Sequence, residues 1–228
     1  MRKGERLLTA VEFVNTLDVI RQGYVKEVPK REIFSLAKEF QYMPVNEVVK
    51  LLQNENGDLR LGAVAILDWK ARNNKTSAKE REEIFRAYID NHHWINEWGL
   101  VDRAAPYVVG GYLFDKNRKL LYDFTKSGNP MERRTAIVST YYFILKNDIE
   151  DTFKIAELLI NDSDEYVQKA VGSWIREAGK KNEEKLIRFL DKYAVDMPRM
   201  TLRYAIEKLD KKTRELYLHY NKKTTDRN

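Results

Sequence analysis

The sequence predicts an all-α fold, a curved α-solenoid of stacked two-helix units. Three observations predict it. The apolar pattern is helical throughout, with no convincing alternating strand and no Asn-Gly hairpin flanked by strand patterns. Only five prolines and ten glycines occur, mostly between periodic runs. Five helices align on an alanine, namely Ala63, Ala104, Ala136, Ala170 and Ala205, at successive spacings of 41, 32, 34 and 35 residues. A separate amphipathic helix precedes each of them. Two-helix units with a period of about 30 to 47 residues are the sequence sign of a solenoid.

The elements follow in order. Pro29 starts a helix through Phe40, and Pro44 starts another through Leu52, because proline is tolerated at a first helical position. Asn56-Gly57-Asp58 precedes a helix from Leu59 to Ala71. Ser77 caps Ala78 to Ile89, its hydroxyl accepting from a free amide of the first turn. Tyr107-Val108-Val109 is a short strand-like run, held too tightly between Pro106 and Gly110-Gly111 to be a long strand. Gly128-Asn129-Pro130 precedes Met131 to Leu145, and Asp162-Ser163-Asp164 precedes Glu165 to Ala178, which Gly179 ends. Pro198 precedes Arg199 to Leu209. The expected organisation is one domain over residues 1–228, with 222–228 a disordered basic tail.

Composition excludes several classes. With 43% apolar residues a substantial core can form, and 33% charged residues give a soluble surface. The chain has no cysteine, hence neither disulfides nor thiolate chemistry. Its longest apolar run, Ala104 to Phe114, is 11 residues and too short to cross a bilayer. The charged start, Met1 to Arg6, lacks the hydrophobic region of a signal peptide, and a cytoplasmic location is expected. The spacing of His92, His93 and His219 forms no metal-ligand pattern, so no metal site is expected and the histidines are read as exposed or capping. Gly110-Gly111 is not a phosphate loop, because no Gly-Lys-Ser/Thr follows it.

Net charge is +6, and the excess is uneven. From Pro198 to Asn228 nine Lys/Arg stand against four acids. Such a surplus suits a polyanion partner, or simply a solvated basic helix. The most chemically pointed segment is Trp98 to Asp102. On a helix their four-residue separation puts indole and carboxylate on one face, one turn apart, where they can hold a cationic group. Asp102 also falls two residues before a repeat alanine, as do Arg134, Gln168 and Arg203. Equivalent positions of stacked repeats form either a polar stripe or ordinary hydrogen bonds between neighbouring repeats.

Three segments carry a resemblance: Trp98-Gly99-Leu100-Val101-Asp102, Glu132-Arg133-Arg134-Thr135-Ala136-Ile137, and Val167 to Glu177 with its Gln168-Lys169-Ala170-Val171-Gly172 core. In order and rough spacing they resemble the AlkD-type DNA alkylation repair proteins, HEAT-like-repeat DNA glycosylases, over about Leu59 to Leu209. The resemblance implies a HEAT-like solenoid around duplex DNA, held mainly through phosphate and sugar. It implies hydrolysis of the N-glycosidic bond of cationic 3- or 7-alkylpurines without base flipping, with no cofactor, no membrane and no obligate protein partner. Asp102 matches the family's catalytic aspartate, Trp98 its tryptophan at the deoxyribose, and Arg134 its arginine at the DNA backbone. For DNA binding, the basic C-terminal end with Arg203, Lys208, Lys211, Lys212 and Arg214 is the candidate phosphate-contacting region, joined by Ser173 and by Lys169 and Arg176, which read equally as a solvated helix face. One departure stands out: the family has a second tryptophan after the glycine of its Gln-Lys-Ala-x-Gly motif, and here Ser173 takes that place. Trp174 points about 100° away and reads as core packing. Two alternatives stay open, a non-catalytic relative that binds duplex or branched DNA and a protein-binding scaffold.

Overall fold

The structure is a computed structural model and describes residues 8–225, with side chains described to residue 219. Among these residues the chain is all helical. It divides into two compact units, residues 1–112 and 113–228.

The first unit holds α1 (Ala10–Gln22), α2 (Lys30–Glu39), α3 (Val45–Leu52), α4 (Gly57–Arg72), α5 (Ala78–Asp90) and α6 (Trp98–Ala105). Here α2 packs on α4 and α4 on α6, while α3 packs on both α4 and α5. Alternate helices thus lie side by side, the relation expected of two-helix units. The second unit holds α7 (Lys119–Phe124), α8 (Pro130–Leu145), α9 (Glu150–Leu158), α10 (Glu165–Gly179), α11 (Glu183–Tyr193), α12 (Arg199–Ala205) and α13 (Lys211–Thr225). There α8 packs on α10 and α10 on α12. All five aligned alanines are buried, Ala63 and Ala104 in the first unit and Ala136, Ala170 and Ala205 in the second. A methyl group at each is what permits the close spacing of these rows.

The turn signals have a physical cause. Asn56, Asn129 and Asp164 each accept a backbone N–H of the first turn of α4, α8 and α10, and the Ser77 hydroxyl accepts from Glu80 N at 3.2 Å. Three expectations need correction. The strand-like Tyr107-Val108-Val109 is helical, within a π turn at Pro106–Gly110 that continues α6 into Gly111–Leu113. Pro106 has no N–H to donate to the Asp102 carbonyl four residues back, and its ring crowds that oxygen. The helix widens there, and the Gly111 N–H donates to the Pro106 carbonyl five residues earlier. The helix after Pro198 ends at Ala205 rather than Leu209, because Asp210 begins a new helix by accepting from Thr213 N at 3.1 Å. His92 is buried edge-on against Tyr88, ring centroids 5.5 Å apart, whereas His93 is exposed. α13 carries the described chain to Thr225, and residues 226–228 at the end of the expected tail, Arg227 among them, lie outside the described residues. Among the described residues no helix is long and apolar enough to cross a membrane.

Candidate functional site

Trp98 and Asp102 stand on α6 as the spacing predicts. Trp98 opens the helix and is 44% exposed, while Asp102 is half-buried one turn later. The next residue ties α6 to its neighbours. The Arg103 guanidinium lies 3.0 Å from the Asp68 carboxylate of α4, and its centre sits 4.7 Å from the Phe34 ring and 5.4 Å from the Trp69 ring. Asp68 is completely buried and accepts both its oxygens' contacts at 2.8 Å from Arg72 Nε. Arg72 in turn stacks on Tyr107, 3.6 Å from its centroid.

Burial dominates the electrostatics of Asp68 and Arg103. It pushes the Asp68 carboxyl above the usual carboxylate range, against the opposing pull of Arg103 and Arg72. It lowers the Arg103 guanidinium below its ordinary value, against the attraction of Asp68. Desolvation is therefore not fully offset by the pairing. The trio fixes the base from which Trp98 and Asp102 project. Sequence reading passed over Asp68, Trp69 and Arg103, because their partners are distant in the chain; only the cluster of charge and aromatics on α4 could have drawn attention.

The remaining expected site residues lie in the second unit. Arg134 on α8 is only 6% exposed and donates to the Tyr166 carbonyl of α10. Gln168 donates to the Asp162 carbonyl at 2.8 Å. Arg134 thus hydrogen-bonds across to a neighbouring helix, as the repeat position allowed, whereas Gln168 bonds the turn that precedes its own helix. On α10, Lys169 pairs with Glu165 at 3.1 Å and lies 5.0 Å from the Tyr166 ring. Ser173 is half-buried. Trp174 packs on Tyr141 of α8, centroids 4.8 Å apart, as core packing requires. Arg176 pairs with Glu177 at 3.4 Å and with Glu207, so its charge is compensated. Lys208 pairs with Glu207 at 3.0 Å, and Lys211 stands 3.9 Å from Glu215. Arg203, Lys212 and Arg214 are exposed, and among the described residues none has a carboxylate within 4 Å. They are the open cations of the expected basic end.

The glycine of the Gln-Lys-Ala-x-Gly motif has a packing role. A Cβ on Gly172 would collide with the Thr201 carbonyl oxygen and stand 2.6 Å from Tyr204 Cβ, so α10 and α12 meet there backbone to backbone. Gly172→Ala is expected to destabilise the chain by about 1–3 kcal/mol through overpacking, read as a lower denaturant midpoint at unchanged slope.

Two comparisons with known proteins point the same way. The model of a protein family described as DNA alkylation repair enzyme matches residues 23–209. No curated protein matches the chain. A solved structure described as a predicted DNA alkylation repair enzyme from Enterococcus faecalis superposes with a TM-score of 0.64 at 16% sequence identity, covering 90% of this chain and 99% of that chain. At that identity the likeness is one of fold.

Proposed function

The chain belongs to the DNA alkylation repair enzyme family, and on that premise we propose that it is an AlkD-type DNA glycosylase that binds duplex DNA through phosphate and sugar and releases cationic 3- or 7-alkylpurines. The observation that carries this reading is the Trp98–Asp102 pair on α6, an exposed indole one turn from a half-buried carboxylate.

The chemistry asks little of the protein. An alkylated purine is already cationic, so it leaves with the electron pair of its N-glycosidic bond and becomes neutral without a general acid. Positive charge then develops on the sugar. The Asp102 carboxylate stabilises that charge and orients the water whose oxygen bonds to the anomeric carbon as its proton departs. Trp98 packs on the deoxyribose. A single carboxylate suffices, unlike the pair that glycoside hydrolases employ. In this reading Arg203, Lys212 and Arg214 hold phosphates, while Lys169, Arg176, Lys208 and Lys211 exchange their carboxylate partners for DNA. Arg134 positions α10 through the Tyr166 carbonyl as well as serving the backbone beside the lesion.

A second reading has its own support. Ser173 replaces the family's second tryptophan, and Arg134 is engaged inside the helix packing. Both favour a relative that binds duplex or branched DNA without cleaving the glycosidic bond. One assay separates the two. Incubation with methylated duplex DNA is expected to release 7-methylguanine and 3-methyladenine; release no greater than in buffer sinks the glycosylase reading and leaves the binding one. Duplex affinity that stays flat as salt rises from 50 to 200 mM would sink both.

A further inference from the structure

We propose that α2 extends the DNA-binding surface: Lys30 and Lys38 contact two phosphates of one strand on the face that carries Trp98. The inference rests on the reading that this chain binds duplex DNA. It gives a role to N-terminal residues whose function the sequence motifs did not reach.

Lys30, Phe34 and Lys38 recur every four residues and so share one face of α2. That face is turned toward α4 and α6. Lys30 Nζ lies 5.6 Å from the Trp98 ring centroid, Lys38 Nζ lies 5.3 Å from that of Trp69, and Phe34 between them receives Arg103. Lys30 also reaches over the start of α6, where a Cβ on Gly99 would stand 3.8 Å from its Nζ.

An uncompensated charge held over an indole sets these two lysines apart; Lys26 and Lys75, also exposed, equally lack a carboxylate within 4 Å among the described residues. Lys50, Lys70 and Lys79 in the same unit each have a carboxylate within 4 Å. Among the described residues Lys30 and Lys38 have none, although both are exposed. An indole face attracts an ammonium by only about 0.5–1 kcal/mol at an exposed site and leaves its charge uncancelled. The ring therefore aims each cation without neutralising it. Lys30 is, besides, the first residue of α2 and overhangs the first turn of α6. A cation at helix N-termini opposes their dipoles, so helix stability does not account for its placement, whereas an anion there is drawn by both. The eight-residue separation of the two lysines spans about 12 Å along the helix axis. That is roughly the rise of three to four nucleotides on one strand.

The test is a salt titration of duplex affinity for the wild type and for Lys30→Ala/Lys38→Ala. Each lost phosphate contact lowers the slope of log affinity against log salt by about 0.9, so the double variant is expected to lose about 1.8. Lys30→Arg/Lys38→Arg, which keeps the charge, should restore the wild-type slope. Lys79→Ala on α5, whose lysine faces Glu83 at 4.0 Å, should leave it unchanged. A wild type with salt-dependent binding and a double variant of equal slope overturns this inference alone. A wild type without duplex binding overturns the functional reading and this inference with it.

Discussion

Asp102→Asn is expected to lower release of 7-methylguanine and 3-methyladenine from methylated duplex DNA by on the order of 10²–10³-fold, with duplex affinity nearly unchanged. The asparagine keeps the size and most of the hydrogen bonding of the side chain and removes its charge. Removal of one preorganised electrostatic group at a developing charge costs about that factor in other active sites. The fold should tolerate the change, because Asp102 is only half-buried, while α6 is held by its buried Leu100, Val101, Ala104 and Ala105 and by the Arg103–Asp68 pair. Single-turnover release at saturating enzyme separates the chemical step from binding. Release that survives the substitution unchanged would remove Asp102 from the mechanism. Release lost together with affinity would mean that the carboxylate shapes the binding surface instead.

The largest effect on stability is expected at Asp68. Asp68→Ala leaves Arg103, only 21% exposed, and part of Arg72 facing a buried void with no counter-charge. Breaking a buried pair from one side costs about 3–5 kcal/mol; the exposure of the arginines argues for about 3. For a chain of this size that lowers the melting temperature by roughly 6–12 °C. The double change Asp68→Leu/Arg103→Leu should be less damaging than Asp68→Ala, since it removes the desolvated charge along with its partner. A double variant weaker than the single one would show that the ion pair itself, and not the avoidance of a lone charge, holds α4 to α6. The readout is thermal unfolding followed by circular dichroism.

Much of the fold was legible because helices announce themselves locally. Ser77 caps its helix as its position predicts, and the turns expected before three other helices supply their caps, Asn56, Asn129 and Asp164. The alanine register also held, since a small buried residue is a local requirement of close helix packing. Failures came where a local signal had two meanings. Tyr107-Val108-Val109 has strand-forming residues, yet the preceding helix continues through them by widening around Pro106. Pro198 opened a helix whose end was decided by Asp210 capping the next. The candidate site was legible in part. Trp98 and Asp102 are neighbours by spacing alone. Lys30 and Lys38 were not visible as site residues, because a lysine over an indole 68 or 31 residues away leaves no mark in either segment.

By itself, then, the sequence determined helical class, the boundaries of six of the seven helices it delimited, the buried alanine row, and the one-turn pairing of Trp98 with Asp102. All of these depend on interactions within a few residues, where covalent geometry sets what can meet. Only the tertiary structure decided which charges are compensated. It committed Arg134 to the Tyr166 carbonyl and Arg176 to Glu207, enclosed Asp68 between two arginines, and left Lys30 and Lys38 uncompensated over tryptophan rings. Electrostatic energy depends on distance and on exclusion of water, and both are fixed only when helices far apart in the chain come together.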